Sequence, residues 1–226
     1  LNNIEFVTIT SSGNSQDFGD LTSNGRSDLG SCASSTRGFA MGGFDENTPN
    51  YNNEIDFVTI SSTGNATDFG DLYSKRDMGA CSNSTRAIFA GGGDTQTDTM
   101  HYVTIQSLGG GVDFGNLSAL RSGTTGSSSS TRGIFAGGFQ PTPVATIEFV
   151  TISSTGNSTD YGNLTQSRRA IAGVSNETRG VFCGGLSPTP RDTVDYVTIA
   201  STGNAQDFGD LAQARQSGTG MSSPTR

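Results

Sequence analysis

The chain repeats itself, and that restricts its fold more than anything else in it. Phe/Tyr-Val-Thr-Ile recurs from Phe6, Phe57, Tyr102, Phe149 and Tyr196. Asp-Phe/Tyr-Gly recurs from Asp17, Asp68, Asp113, Asp160 and Asp207. Thr-Arg recurs with its arginine at Arg37, Arg86, Arg132, Arg179 and Arg226. The last three copies step by 47 residues, and the first two steps are slightly irregular. A fixed period of this size marks a solenoid, propeller or array, in which no unit can bury its apolar face alone and each leans on its neighbours. The 226 residues therefore read as one domain, 1–226, with units near 4–54, 55–99, 100–146, 147–193 and 194–226.

Each unit divides into four short segments. The first, residues 4–9 with relatives at 55–60, 100–105, 147–152 and 194–199, is β-branched and aromatic and predicts a strand covered on both faces. Ser-Thr-Gly-Asn follows, a turn of hairpin type. A short second strand comes next, such as residues 68–72. Beyond a polar connection with one arginine lies a glycine-, alanine- and serine-rich segment such as residues 171–176. After Thr-Arg, a segment such as Gly-Ile-Phe-Ala (residues 133–136) reads as a further strand, stopped by Gly-Gly. Four strands per unit, with tight turns and no helical periodicity, describe a propeller blade. Small residues in the third segment fit an innermost strand near the axis, where large side chains would collide. The expected fold is all-β: a five-bladed β-propeller of about 47-residue repeats, four antiparallel strands per blade.

The order of Gly-Gly, variable loop, aromatic-Val strand, hairpin, aromatic-then-Leu strand, Arg, small residues and Gly-Ile-Phe-Ala-Gly-Gly resembles the kelch repeat over practically the whole chain. In that family a diglycine ends the second strand and an aromatic stands on the fourth. Phe18, Phe69, Phe114, Tyr161 and Phe208 occupy the position where kelch repeats carry Trp. This chain has no Trp, so the resemblance is to a divergent branch. The wording of the repeats is also similar to repeats in tail-fibre and other structural proteins of marine bacteriophages, cyanophages especially. That resemblance implies a virion or extracellular location.

One strand is missing from the pattern. There are five copies of the first three segments but four diglycine strands, ending at Gly43, Gly92, Gly138 and Gly185. One blade is thus expected to lack a strand. The sequence opens Leu1-Asn2-Asn3, without Met or a signal-like stretch. For the missing strand, truncation of a longer chain is the favoured expectation, beside donation by a neighbouring chain or a blade that tolerates the loss; the start reads either as processed or as part of a longer chain.

The formal net charge of −8 disfavours binding to phosphate backbones, and Lys75 is the single lysine, so no polybasic patch forms. Cys32, Cys81 and Cys183 are too few for a disulfide framework and read as small core residues. Repetition argues against a kinase reading of Asp-Phe-Gly, because neither a glycine-rich nucleotide loop nor a catalytic-loop motif accompanies it. The carboxylate pairs Asp17/Asp20, Asp68/Asp71 and Asp207/Asp210 become Asn116 and Asn163 elsewhere at the second position and form no calcium loop. One histidine, His101, fills a slot held by Glu5, Asp56, Glu148 and Asp195 and reads as an edge substitution. No nucleophile–base pair can be assembled, so the expectation is no enzyme, no cofactor and no metal.

Arginine is more informative, since ten of 12 fall on two repeat positions. Arg26, Arg76, Arg121, Arg168 and Arg215 share a face with the loops after Gly-Gly, where five guanidinium groups around a channel mouth would hold an anion. The alternative is that each ties neighbouring blades to an Asp or to carbonyls. The post-diglycine loops vary most and offer Asp45, Glu46, Tyr51, Asn52, Asp94, Gln140 and Arg191 as ligand-binding candidates on a rigid frame. The sequence points to a structural and binding module of a phage tail fibre or virion, presenting loops to a host-surface glycan or a virion protein and capable of homo-oligomerisation. An intracellular scaffold that captures an acidic peptide is the second reading. Nucleic-acid and membrane partners are not expected.

Overall fold

The structure, a computed structural model, describes residues 2–23, 25–45, 50–73, 76–93 and 95–222, and among these it is all-β without a helix. Four sheets have four antiparallel strands each. Within every one the inner strand comes first (Gly30–Ala33, Gly79–Ser82, Thr125–Ser128, Ala172–Ser175). The second strand follows (Arg37–Met41, Arg86–Ala90, Arg132–Ala136, Arg179–Cys183). The third is Glu54–Thr59, Thr97–Thr104, Thr146–Thr151 or Arg191–Thr198. The outer one is Thr67–Asp71, Val112–Arg121, Thr159–Asn163 or Gln206–Arg215. The first unit has only its third and outer strands, Asn3–Phe6 paired with Gln16–Asp20. No second strand pairs with the other edge of Asn3–Phe6 among the described residues.

A β-bulge recurs where third and outer strands pair, at Ile4/Glu5, Ile55/Asp56, Met100/His101, Ile147/Glu148 and Val194/Asp195. Simple alternation would send one of each pair outward. The extra residue re-aims the strand, so that Ile147 and Glu148 are both buried. Each unit also stacks its third-strand ring edge-on against its outer-strand ring, with centroids 5.7 to 6.2 Å apart, as in Phe149–Tyr161 and Tyr102–Phe114.

Three hydrogen-bond ladders tie each unit to the one before it. At the centre, the hydroxyl of Ser82 donates to the Ala33 carbonyl (2.7 Å), Ser128 to Ser82 (2.7 Å), Ser175 to Ser128 (2.8 Å) and Ser222 to Ser175 (2.7 Å). Between outer strands and hairpins, Gly64 N–H donates to Phe18 O, Gly109 to Phe69, Gly156 to Phe114 and Gly203 to Tyr161, at 2.6 to 2.8 Å. The Gly-Asn segment is thus not the turn of the hairpin. The turn closes earlier, with Ser154 N–H on Thr151 O, and Gly-Asn lies against the preceding sheet. Asn157 and Asn204 accept from the amides of Asn116 and Asn163, both at 3.0 Å.

The third ladder runs through residues in the left-handed region. Asp28, Asp77, Gly123, Ala170 and Ser217 have φ of 52° to 62°. Each N–H reaches the carbonyl of its predecessor: Asp77 to Asp28, Gly123 to Asp77, Ala170 to Gly123 and Ser217 to Ala170, at 2.9 to 3.1 Å. Apolar cores fill the spaces between sheets. Phe114 and Leu117 of one sheet meet Val150 and Ile152 of the next, and Tyr161 and Leu164 meet Val197 and Ile199.

Candidate functional site

The two arginine positions do different work. Those after Thr stack on the ring of their own third strand: Arg37 on Phe57 (4.4 Å), Arg86 on Tyr102 (4.5 Å), Arg132 on Phe149 (4.5 Å) and Arg179 on Tyr196 (4.8 Å). Three of them also reach a carbonyl of the next unit, Arg37 that of Ile105, Arg86 that of Ile152 at 3.0 Å and Arg132 that of Ile199 at 3.1 Å. These are struts between sheets.

Of the expected anion ring, Arg26, Arg121 and Arg168 are sealed in the interior. Each forms an ion pair with the acid of the next unit's third strand: Arg26 with Asp56, Arg121 with Glu148, and Arg168 with Asp195 at 2.6 Å. Their second nitrogen donates to carbonyls, Arg168 to Thr193 at 2.8 Å and Arg121 to Gly137 and Thr146 at 3.4 Å. The acid is held in turn by the outer strand, or the connection after it, of the preceding unit, Ser118 N–H to Glu148 at 2.9 Å and Thr165 N–H to Asp195 at 3.1 Å. A buried charge is tolerated only with a partner and compensating hydrogen bonds, and here the terminal nitrogens are partnered while the Nε of each arginine is buried without one. The bulge supplies the acidic partner, so these three guanidinium groups do not face the mouth. Arg215 is exposed at the end of the last outer strand. A five-membered ring is therefore not formed.

Arg76 is the exception, and His101 accompanies it. His101 is 8% exposed, so it is no edge substitution; it stands in the buried acid slot with the Tyr73 ring tilted against it at 5.2 Å. An imidazole there does not offer the anionic fork a guanidinium needs. Arg76 lies instead over Phe44 (5.4 Å) and Tyr51 (5.6 Å), with Asp28 at 3.7 Å and Asp77 at 3.8 Å. Nearby Arg169 covers Phe139 at 4.8 Å. Burial pushes the Asp77 carboxyl up, and Asp28 adds to that, while Arg76 and Arg169 pull it back. The result is a half-buried cluster of alternating charge, Asp28, Arg76, Asp77 and Arg169, flanked by three rings on the post-diglycine side.

Two loop candidates join this cluster or border it. Tyr51 pairs with Phe44 in a small ribbon, and Asp45 stands opposite Arg26 and Asn50 in the same ribbon. Asn52 is structural: its side chain accepts from Glu54 N–H at 2.6 Å and its own N–H reaches Gly43. Gln140 lies in the two-residue strand Phe139–Gln140. Arg191 folds onto the Ser187 carbonyl, away from the cluster. Glu46 and Asp94 lie outside the described residues. Sequence reasoning missed Asp28, Asp77, Phe44, Phe139 and Arg169. Arg169 is one of the two arginines off the repeat positions, and that irregularity was the available signal.

A cavity of about 750 Å³ lies at the centre, lined by residues of the four inner strands, among them Cys32, Cys81, Ser127 and Val174, by Met221, and by Glu5, Asp56 and Glu177. Among the described residues no His, Cys, Asp or Glu cluster suits a metal ion. No protein-family model matches the chain, and no curated protein matches it.

Proposed function

We propose that the chain is a non-catalytic binding module, built as a five-bladed kelch-like β-propeller, which holds a host-surface glycan on its post-diglycine mouth as part of a phage tail fibre or virion. The observation that carries this reading is the Asp28–Arg76–Asp77–Arg169 cluster with its rings. Within the cluster two cations are set against two anions, which suits a neutral polyhydroxylated ligand with many donors and acceptors. Rigid aromatic flanks provide apolar contact at little entropic cost. The similarity of the repeats to tail-fibre repeats supports the setting.

Capture of an acidic peptide is less well supported. Three of its five arginines are sequestered with acids of their own, and the net charge of −8 opposes an anionic partner. A glycan array tests the reading. Binding should fall at least about tenfold in Arg76→Ala and Tyr51→Ala, the loss of one charge-assisted or aromatic contact. Arg179→Ala, on the opposite side, should leave it unchanged. Absence of any glycan signal, or loss equal in all three variants, would reject it.

A further inference from the structure

We infer that the post-diglycine mouth carries two matched subsites with a notch between them, and that its ligand is a neutral oligosaccharide of at least two residues, one sugar against each subsite. This rests on the glycan reading and deepens it. The backbone defines the positions. The residue after a diglycine donates its N–H to the carbonyl of the residue immediately before the left-handed ladder: Gly93 to Arg76 at 2.9 Å, Phe139 to Ser122 at 2.7 Å and Leu186 to Arg169 at 2.9 Å. Phe44 pairs with Ser27 at the same place. Arg76 and Arg169 are therefore equivalent, each directly ahead of its ladder residue, Asp77 or Ala170. Their side chains act alike as well. Each reaches back over the ring that follows the preceding diglycine, Arg76 over Phe44 at 5.4 Å and Arg169 over Phe139 at 4.8 Å. Tyr51 widens the first pair, 5.6 Å from Arg76.

Between these two pairs the same positions hold Gly93 and Ser122, neither of which supplies a ring or a cation. A Cβ on Gly93 would find its nearest neighbour, Thr97 Cγ2, only at 4.0 Å. The loop closes at once there, with Gln96 N–H on Gly93 O at 3.3 Å and Thr97 N–H on Gly92 O at 3.0 Å. Two ring-and-guanidinium pairs thus stand on either side of a position without a side chain. Asp77 links them: it lies 3.8 Å from Arg76 and also feels the charge of Arg169. Asp28 borders the first pair, 3.7 Å from Arg76. The two carboxylates are 44% and 42% exposed, unlike the sealed Arg168–Asp195 pair at 2.6 Å, so a ligand can reach them.

Stacking fixes the plane of a guanidinium without consuming its in-plane N–H donors. A carboxylate beside it accepts from hydroxyl groups. Donor and acceptor side by side fit the neighbouring hydroxyl groups of a sugar, and the aromatic rim takes its apolar C–H face. Neighbouring sheets pack about 10 Å apart, so rings set two diglycines apart are not spanned by one sugar. A chain of two or more spans them, with Asp77 at the linkage. Two weak subsites on one ligand multiply where a single one gains little. A uronic or sulfated glycan would bring its own charge against Asp28 and Asp77.

The probe is an array of neutral, uronic and sulfated glycans of graded length from a single residue upward, followed by titration of the strongest neutral hit and its shorter homologues. Affinity should rise about a hundredfold between the single sugar and the length that reaches both subsites. Tyr51→Ala and Phe139→Ala should each weaken the long glycan at least about tenfold and abolish the gain with length. Ser122→Arg gives the notch the residue that its counterparts Arg76 and Arg169 already carry, so the backbone accommodates it and the Tm should hold. It should remove the gain with length and leave the affinity for the single sugar unchanged. Three results would overturn the inference and leave the glycan reading standing: affinity independent of length, preference for uronic or sulfated glycans, or a length gain that survives Phe139→Ala or Ser122→Arg while Tyr51→Ala abolishes binding. No signal from any glycan would overturn both.

Discussion

Gly115 and Gly156 meet backbone to backbone: a Cβ on Gly115 would lie 2.3 Å from the Gly156 carbonyl oxygen. The glycine of the recurring Asp-Phe/Tyr-Gly thus marks where the next hairpin docks on the outer strand, and the same contact recurs at Gly19, Gly70 and Gly162. Gly209 has the same backbone, φ 136° against 139°, with nothing opposite. Backbone strain is common to both sites, and the clash belongs to Gly115 alone. Gly115→Ala should therefore cost about 2–4 kcal/mol more than Gly209→Ala in urea unfolding. Equal losses would show that strain, and not docking, explains the glycine.

Ala170 sits at φ 52° in the ladder at the mouth, where L-residues other than Gly, Asn and Asp are disfavoured. Its counterpart Gly123 makes the same hydrogen bond without that cost. Ala170→Gly should stabilise the fold by about 0.5–1 kcal/mol, a rise in Tm of a few degrees by calorimetry. A loss would mean that the Ala methyl group packs more strongly than the backbone is strained.

Breaking the Arg168–Asp195 pair should be costly, because it leaves one charge buried alone. Arg168→Met and Asp195→Leu should each lose about 3–5 kcal/mol, and the double variant distinctly less than their sum. Additive losses in denaturant unfolding would show that the two side chains stabilise the fold independently.

The thiols should be unreactive. Burial pushes Cys32 up to about 12, with the Ser82 hydrogen bond pulling slightly the other way, and burial also raises Cys81 and Cys183. At pH 8 a thiol of that pKa is about one part in ten thousand thiolate. Alkylation of Cys32 in the native protein should be slower than in urea by at least about a hundredfold. Native labelling at the denatured rate would show that the inner strands open freely.

Glu177 accepts both the amide (2.9 Å) and the hydroxyl (2.8 Å) of Ser130, and these bonds hold its carboxyl below the usual carboxylate range. A folded-state pKa below the unfolded value contributes stability that is present above the ordinary range and is lost as pH falls through the lowered one. Glu177→Gln should flatten the urea midpoint between about pH 3 and 5 and change little at pH 7. An unaltered pH profile would show that the Ser130 contact is absent in solution.

Strand positions were legible in the sequence because β-branched and aromatic runs recur at one spacing, and the inner strands because steric crowding keeps them to Gly, Ala, Ser and Cys, with Thr125 and Val174 the largest exceptions. The arginine positions were legible as positions but not in role. What decides the role is an acid 27 to 30 residues later in the next unit, buried by a bulge that no local pattern announces. The single departure, His101 for an acid, was visible, but its consequence for Arg76 lies across a sheet boundary. The left-handed ladder was invisible for a simpler reason. Asp28, Asp77, Gly123, Ala170 and Ser217 share a backbone conformation and no side-chain chemistry. The Gly-Asn segment misled in the opposite way, since a dipeptide that usually turns a hairpin is used here to dock one.

Because every serine hydroxyl of the central ladder reaches only the unit before it, cooperativity passes along the array as through a row of coupled springs. The middle sheets are clamped from two directions and the terminal ones from one. Amide protons should therefore exchange in a gradient, slowest around Ile134 and Phe135 and fastest toward both chain ends. For the same reason a unit gained or lost by duplication would alter the curvature of the array without rewriting any contact within it.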